Sequence, residues 1–93
     1  MMNTLVIHPR DSVGVALADL AAGTLIECNV QHASEIIVRE PIPFGHKVAL
    51  RPIRRGEQVI KYGASIGVAC ADIEPGHHVH VHNVRSVRGA AQG

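Results

Sequence analysis

The chain has 93 residues, is 46% hydrophobic but only 2% aromatic, and carries a formal net charge of +1. That length allows one domain with a modest core and leaves no room for a large enclosed active site. The near-zero charge, with Phe44 and Tyr62 as its only aromatics, argues against nucleic acid, which needs a basic face and rings to stack on bases.

From the N-terminus, Met1-Met2-Asn3-Thr4 lacks the basic start and apolar centre of a secretory leader. No apolar run approaches the ~20 residues that cross a bilayer. The expectation is a cytoplasmic chain with no membrane partner. Short runs rich in Val, Ile and Thr, punctuated by Gly and Pro, predict strands at 4–7, 13–17, 24–30, 35–38, 47–50, 58–61, 65–69 and 78–82. Residues 12–22 also fit a short helix, with Ser12 as its cap and Val13, Leu17 and Leu20 at helical spacing. Strand-like alternation from Val13 to Leu17 competes with it. Cys28 and Cys70 lack any paired spacing and read as reduced thiols. Without large aromatics the core must be built from Val, Ile, Leu and Ala, and such a thin core favours burying a face against another copy or a partner.

One pattern recurs four times: an aliphatic residue, Gly three positions later, and a β-branched residue three positions after that. It occurs at Leu20/Gly23/Ile26, Ile42/Gly45/Val48, Ile53/Gly56/Val59 and Ile73/Gly76/Val79. Each copy reads as a strand end, a tight turn with Gly at positive φ, and a new strand. The spacing between copies is irregular, so this is a reused turn and not a solenoid. Asp19 and Asp72 stand immediately before two copies, where a carboxylate can accept turn N–H groups. The fold class predicted is all-β, of many short strands with tight Gly turns and at most one short helix.

Three segments carry chemistry. His77-His78-Val79-His80-Val81-His82 holds four of the seven histidines. In an extended strand His78, His80 and His82 share one face, and His77, Val79 and Val81 the other. Same-face neighbours lie roughly 6.6–7 Å apart at Cα, so two of the imidazoles can meet one metal but three in a straight row seldom can. The residues alone leave this face open between a histidine-rich edge, proton or substrate work, and metal binding. Gly45-His46-Lys47 presents an imidazole and an amine on a turn, where a carboxylate could meet them. Lys61-Tyr62-Gly63 sets an amine and a phenol beside another turn. The acidic residues show no paired catalytic spacing, and the serines sit in no nucleophile elbow.

In chain order these boxes, with Ile7-His8-Pro9 before them and Asn83 after, resemble the SAF-type (β-clip) domain of the altronate and galactarate dehydratases. That domain also occurs as a free-standing small subunit of split altronate dehydratases and of sulfolactate sulfo-lyase. The resemblance spans residues 4–88, with 89–93 as a flexible tail. Ala64 departs from the acidic residue or Leu that many members carry after Lys-Tyr-Gly. The resemblance implies a carbon–oxygen lyase component, inactive without a large catalytic subunit or domain, acting on a small sugar acid with a divalent metal, iron foremost, held mainly by that partner. It further implies a homo-oligomer, His80 and His82 in catalysis or as metal ligands, and His46, Lys47, Lys61, Tyr62 and Asn83 at the substrate. A small subunit of sulfolactate sulfo-lyase and a non-catalytic binding or dimerisation module are the alternatives.

Overall fold

The structure is a computed structural model that describes residues 2–29 and 35–86. Among the described residues there are seven strands: β1 (Thr4–Leu5), β2 (Val13–Ala16), β3 (Lys47–Ala49), β4 (Gln58–Lys61), β5 (Ala64–Ala69), β6 (His78–Val79) and β7 (Val84–Arg85). They form two antiparallel sheets, β1-β2-β3-β6 and β4-β5-β7. The all-β expectation holds. No helix forms over 12–22, because the β-branched Val13 and Val15 pair with β3 on one side while Val15 and Ala16 pair with β1 on the other. Ser12 caps no helix; its hydroxyl accepts the Ile60 N–H at 2.8 Å, beside the bulge in β4. The runs near 24–30 and 35–38 appear only as single bridges, Leu25 to Ile37 and Thr4 to Cys28. Val30 and the expected tail 89–93 lie outside the described residues. The pairing of Val84–Arg85 with β5 had no counterpart among the predicted strands.

The four recurrent turns organise the core. Leu20 pairs with Ile42, and Ile53 with Ile73, each through reciprocal N–H···O bonds of 2.7–2.9 Å. Gly23, Gly45, Gly56 and Gly76 all take φ between 82° and 93°, the left-handed region expected of them. The pairing is repeated in the acids: Asp19 accepts the Phe44 N–H at 2.8 Å and Asp72 the Arg55 N–H at 2.9 Å. Each aspartate therefore holds the turn opposite its own.

Two core clusters follow from the same pairing. Leu20, Ile26, Ile42 and Val48 pack with Ala16 and Val38; Ile53, Val59, Ile73 and Val79 pack with Val13, Ala49 and Ala69. Every aliphatic residue that flanks a motif glycine is buried. Burial of such side chains contributes about 1.5–3 kcal/mol each, and here they replace the aromatics that a core of this size usually holds. Phe44 and Tyr62 are 66% and 56% exposed. Both stand on turns, Phe44 two residues before His46 and Tyr62 next to Lys61. Among the described residues no helix is long and apolar enough to cross a membrane.

Candidate active site

The Gly45 turn delivers His46 to the edge of β3, and β3 pairs with β6 through Val48 and His78. This register sets His46 against the histidine run 32 residues later. His46 Nδ1 and His78 Nε2 are 2.9 Å apart. The His46 ring stacks on His80 at 4.4 Å between centroids, and His78 lies 5.3 Å from both His80 and His82.

The run itself differs from the extended strand expected over 78–82. Strand β6 ends at Val79, and residues 81–83 form a turn. Asn83 makes that turn: its Oδ1 accepts the His80 N–H at 2.9 Å and its Nδ2 donates to the His78 carbonyl at 2.8 Å. Asn83, expected at the substrate, has both ends of its amide engaged by the backbone that carries His78 and His80. The turn also changes which imidazoles converge. One donor atom from each of His46, His78 and His80 lies within 4.8 Å of the others, the one such three-ligand group among the described residues. His82 meets His78 from outside that group, tilted by 42°. His78 has a central place that its position in the row did not suggest. His77 faces the other way, as alternation requires, with Nδ1 2.9 Å from Glu40.

Lys47, Lys61, Tyr62, Ile66, His80 and Val81 are among the residues that line an open pocket of about 390 Å³. The three chemical boxes therefore meet around one opening. A larger cleft of about 540 Å³, bounded by Pro9, Arg10, Arg51 and Pro52 among others, holds no His, Lys or Tyr, and its Arg51 donates to the Asp11 carbonyl at 2.8 Å. Burial, with help from the Lys61 charge, lowers the Lys47 pKa. His78 is held below the ordinary histidine value by burial and by His46, His82 and His80, against an opposing pull from Glu40. For His80 desolvation is the leading cause, followed by His46, Lys47 and His82. Both imidazoles are thus biased toward the neutral form, in which a ring nitrogen can offer a lone pair to a proton or a metal.

Tyr62 is placed by strain. Lys61 and Ala64 pair across a two-residue hairpin turn in which Tyr62 has φ 57° and Gly63 φ 75°. Such a turn favours Asn-Gly; a bulky residue in the left-handed region is unfavourable by about 1–2 kcal/mol. It directs the phenol outward, with the Lys61 ammonium 4.6 Å from the ring centroid. Tyr62→Asn is therefore expected to raise stability by about 1 kcal/mol in chemical denaturation. A loss of stability would mean that the ring packs as a structural residue.

The buried Asp11, to which the acidic-residue pattern assigned no role, anchors this hairpin. Its Oδ1 accepts the Gly63 N–H at 2.9 Å and its Oδ2 the His8 N–H at 3.1 Å. Desolvation pushes the carboxyl pKa up, but N–H groups of Gly63, Tyr62, His8 and Ile7 outweigh it and hold the value below 3.8. The charge therefore stabilises the fold above the ordinary carboxylate pKa, and that contribution is lost as pH falls through the lower folded value. Asp11→Asn sets an amide NH₂ against one of those N–H donors, and should lose about 1–3 kcal/mol at pH 7. Urea unfolding at pH 7 and pH 3 should show the gap to wild type narrowing in acid; an unchanged gap would remove the charge from the explanation.

Comparison with known proteins adds three observations. The family profile described as the altronate/galactarate dehydratase SAF domain matches residues 2–87. The chain is 48% identical over 85 residues to altronate dehydratase of Escherichia coli, and 37% identical over 86 residues to that of Bacillus subtilis. These matches cover 91% and 92% of this chain but 17% of either dehydratase. It is also 39% identical to the (2R)-sulfolactate sulfo-lyase subunit alpha of Chromohalobacter salexigens, covering 89% of this chain and 94% of that subunit.

Proposed function

Because the chain belongs to the altronate/galactarate dehydratase SAF domain family, we propose that it is one component of a hydroxy-acid lyase. It works with a larger catalytic chain or domain to remove water from a sugar acid. The observation that carries this is the meeting of Lys47, Lys61, Tyr62 and His80 around one open pocket, backed by His46 and His78.

Dehydration of a 2,3-dihydroxy acid removes the proton α to the carboxylate and expels the neighbouring hydroxyl as water. The enol left behind becomes a 2-keto-3-deoxy acid. Lys47 and Lys61 supply positive charge for the carboxylate and for the enediolate that develops from it. Neutral His80 suits proton transfer at the reacting carbons or the departing hydroxyl, with His82 beside the same cluster. Tyr62 is exposed at the pocket rim, where its hydroxyl can bond a substrate oxygen. The divalent metal implied by the family resemblance, iron foremost, is held mainly by the larger partner; when bound it supplies Lewis-acid stabilisation of the enediolate.

Two features support a shared site. The pocket is shallow and open, too exposed to exclude water by itself. The exposed Phe44, Tyr62 and Val81 (82% exposed) stand on the very turns that carry the functional residues. Aromatic and aliphatic groups in that position suit burial against a partner. The near-complete coverage of a sulfo-lyase subunit alpha favours a second reading, in which the leaving group is sulfite.

The test is to purify the native assembly through a tag on this chain and assay it with altronate, galactarate and sulfolactate. Formation of a 2-keto-3-deoxy acid from a sugar acid supports the proposal, sulfite release supports the second reading, and no turnover of any of the three overturns both.

A further inference from the structure

We propose that this chain carries a divalent transition-metal site of its own, built from His46, His78 and His80. The three residues come from two segments that the β3–β6 register brings together, so the site is a product of the fold and not of a histidine-rich run.

The spacing suits an ion. Two nitrogens bound to one tetrahedral ion at about 2.05 Å stand about 3.3 Å apart, so a pair within about half an ångström of that needs little rearrangement. His46 Nδ1 and His78 Nε2 are already 2.9 Å apart. The third donor, from His80, lies within 4.8 Å of both, and His80 sits at the start of a surface turn where a side-chain rotation can close the gap. In the metal-free chain the first two nitrogens share one proton as N–H···N. On binding, that ring takes its other tautomer, with the proton on its far nitrogen, which leaves a lone pair on each of the two donor atoms.

The donor set also selects the ion. Three imidazoles, with no carboxylate among them, favour Zn²⁺, Co²⁺, Ni²⁺, Cu²⁺ or Fe²⁺ over Mg²⁺ and Ca²⁺. Three protein ligands leave coordination positions open, as in catalytic metal sites. His80 also lines the pocket with Lys47 and Lys61, so an anionic oxygen ligand could reach the ion from there. Asn83 takes the part of an outer support, since its amide fixes the backbone on either side of Val79. The site concerns this chain alone and stands whether or not the lyase reading does. When an ion is bound the His80 lone pair belongs to it, and proton transfer in that reading passes to His82 beside the cluster.

Calorimetric titration of the metal-free full chain with Zn²⁺ tests it, with Mg²⁺ as a control. The expected result is one Zn²⁺ per chain and no measurable Mg²⁺ binding. His46→Ala, His78→Ala and His80→Ala should each weaken Zn²⁺ binding by at least about 10–100-fold, the range already reached when only an outer support is lost. His77→Ala and His82→Ala should change it by less than about 3-fold, because neither donor belongs to the converging set. Side-chain ¹⁵N spectra of the wild-type chain give a readout free of folding defects: the His46 and His78 ring nitrogens should shift on Zn²⁺ addition. Binding unaffected by His46→Ala, equal loss with His82→Ala, or no shift at His46 overturns the proposal.

Discussion

Gly76→Ala is expected to destabilise this protein by about 2–5 kcal/mol, a large part of what a domain of this size possesses. An alanine there takes φ near +89°, unfavourable by about 1–2 kcal/mol. Its Cβ would also stand 2.1 Å from the Ile37 carbonyl oxygen and 3.0 Å from Arg39 Cγ. Neither side can yield easily, because the Gly76 N–H donates to Ala49 and its carbonyl accepts the Arg39 N–H. The overpacking adds about 1–3 kcal/mol. Gly56→Ala is the matched control, with the same φ but nothing within 4 Å of the new Cβ, and should lose only the conformational 1–2 kcal/mol. Urea unfolding of the two variants checks the difference; equal losses would refute the packing argument.

The second large effect concerns the lyase assembly proposed above. His80→Ala should lower kcat by about 10²–10⁴-fold, the usual contribution of a positioned proton-transfer group. Lys47→Met should act mainly on substrate binding, raising KM by about 10-fold or more with a smaller change in kcat. Steady-state kinetics separates the two. A kcat unchanged in His80→Ala would reduce the histidine cluster to a gating or docking element.

Much of the architecture was legible because the turn motif names its own parts. The motif around Gly23, Gly45, Gly56 and Gly76 predicted the turns, Asp19 and Asp72 were recognisable as turn acceptors, and the structure adds that the flanking aliphatic residues are buried. What spacing could not reveal is that the copies pair two by two, since Leu20 meets Ile42, and Ile53 meets Ile73, only through long-range contacts. For the same reason the four glycines look alike in the sequence, although Gly76 alone of them meets backbone.

The site was legible as three boxes but not as a geometry. Alternation placed His78, His80 and His82 in one row, whereas the strand ends after Val79 at the Asn83 turn and the β3–β6 register sets His46 beside His78. An Asn closing a run of β-branched and histidine residues was the available signal, since Asn side chains compete with strand ladders for backbone groups. Asp11 and Ser12 were harder to read, because their partners, Gly63 and Ile60, lie 52 and 48 residues away.

The central claim is that this chain supplies one half of a lyase site. The most direct measurement separates the native assembly into this chain and its larger partner, then follows turnover of the sugar acid for each part and for the mixture. The account predicts no turnover from either part, recovery on mixing wild-type chain with the partner, and no recovery with His80→Ala even though sedimentation shows that it still associates. Full turnover by the larger partner alone, or full recovery with His80→Ala, would contradict it.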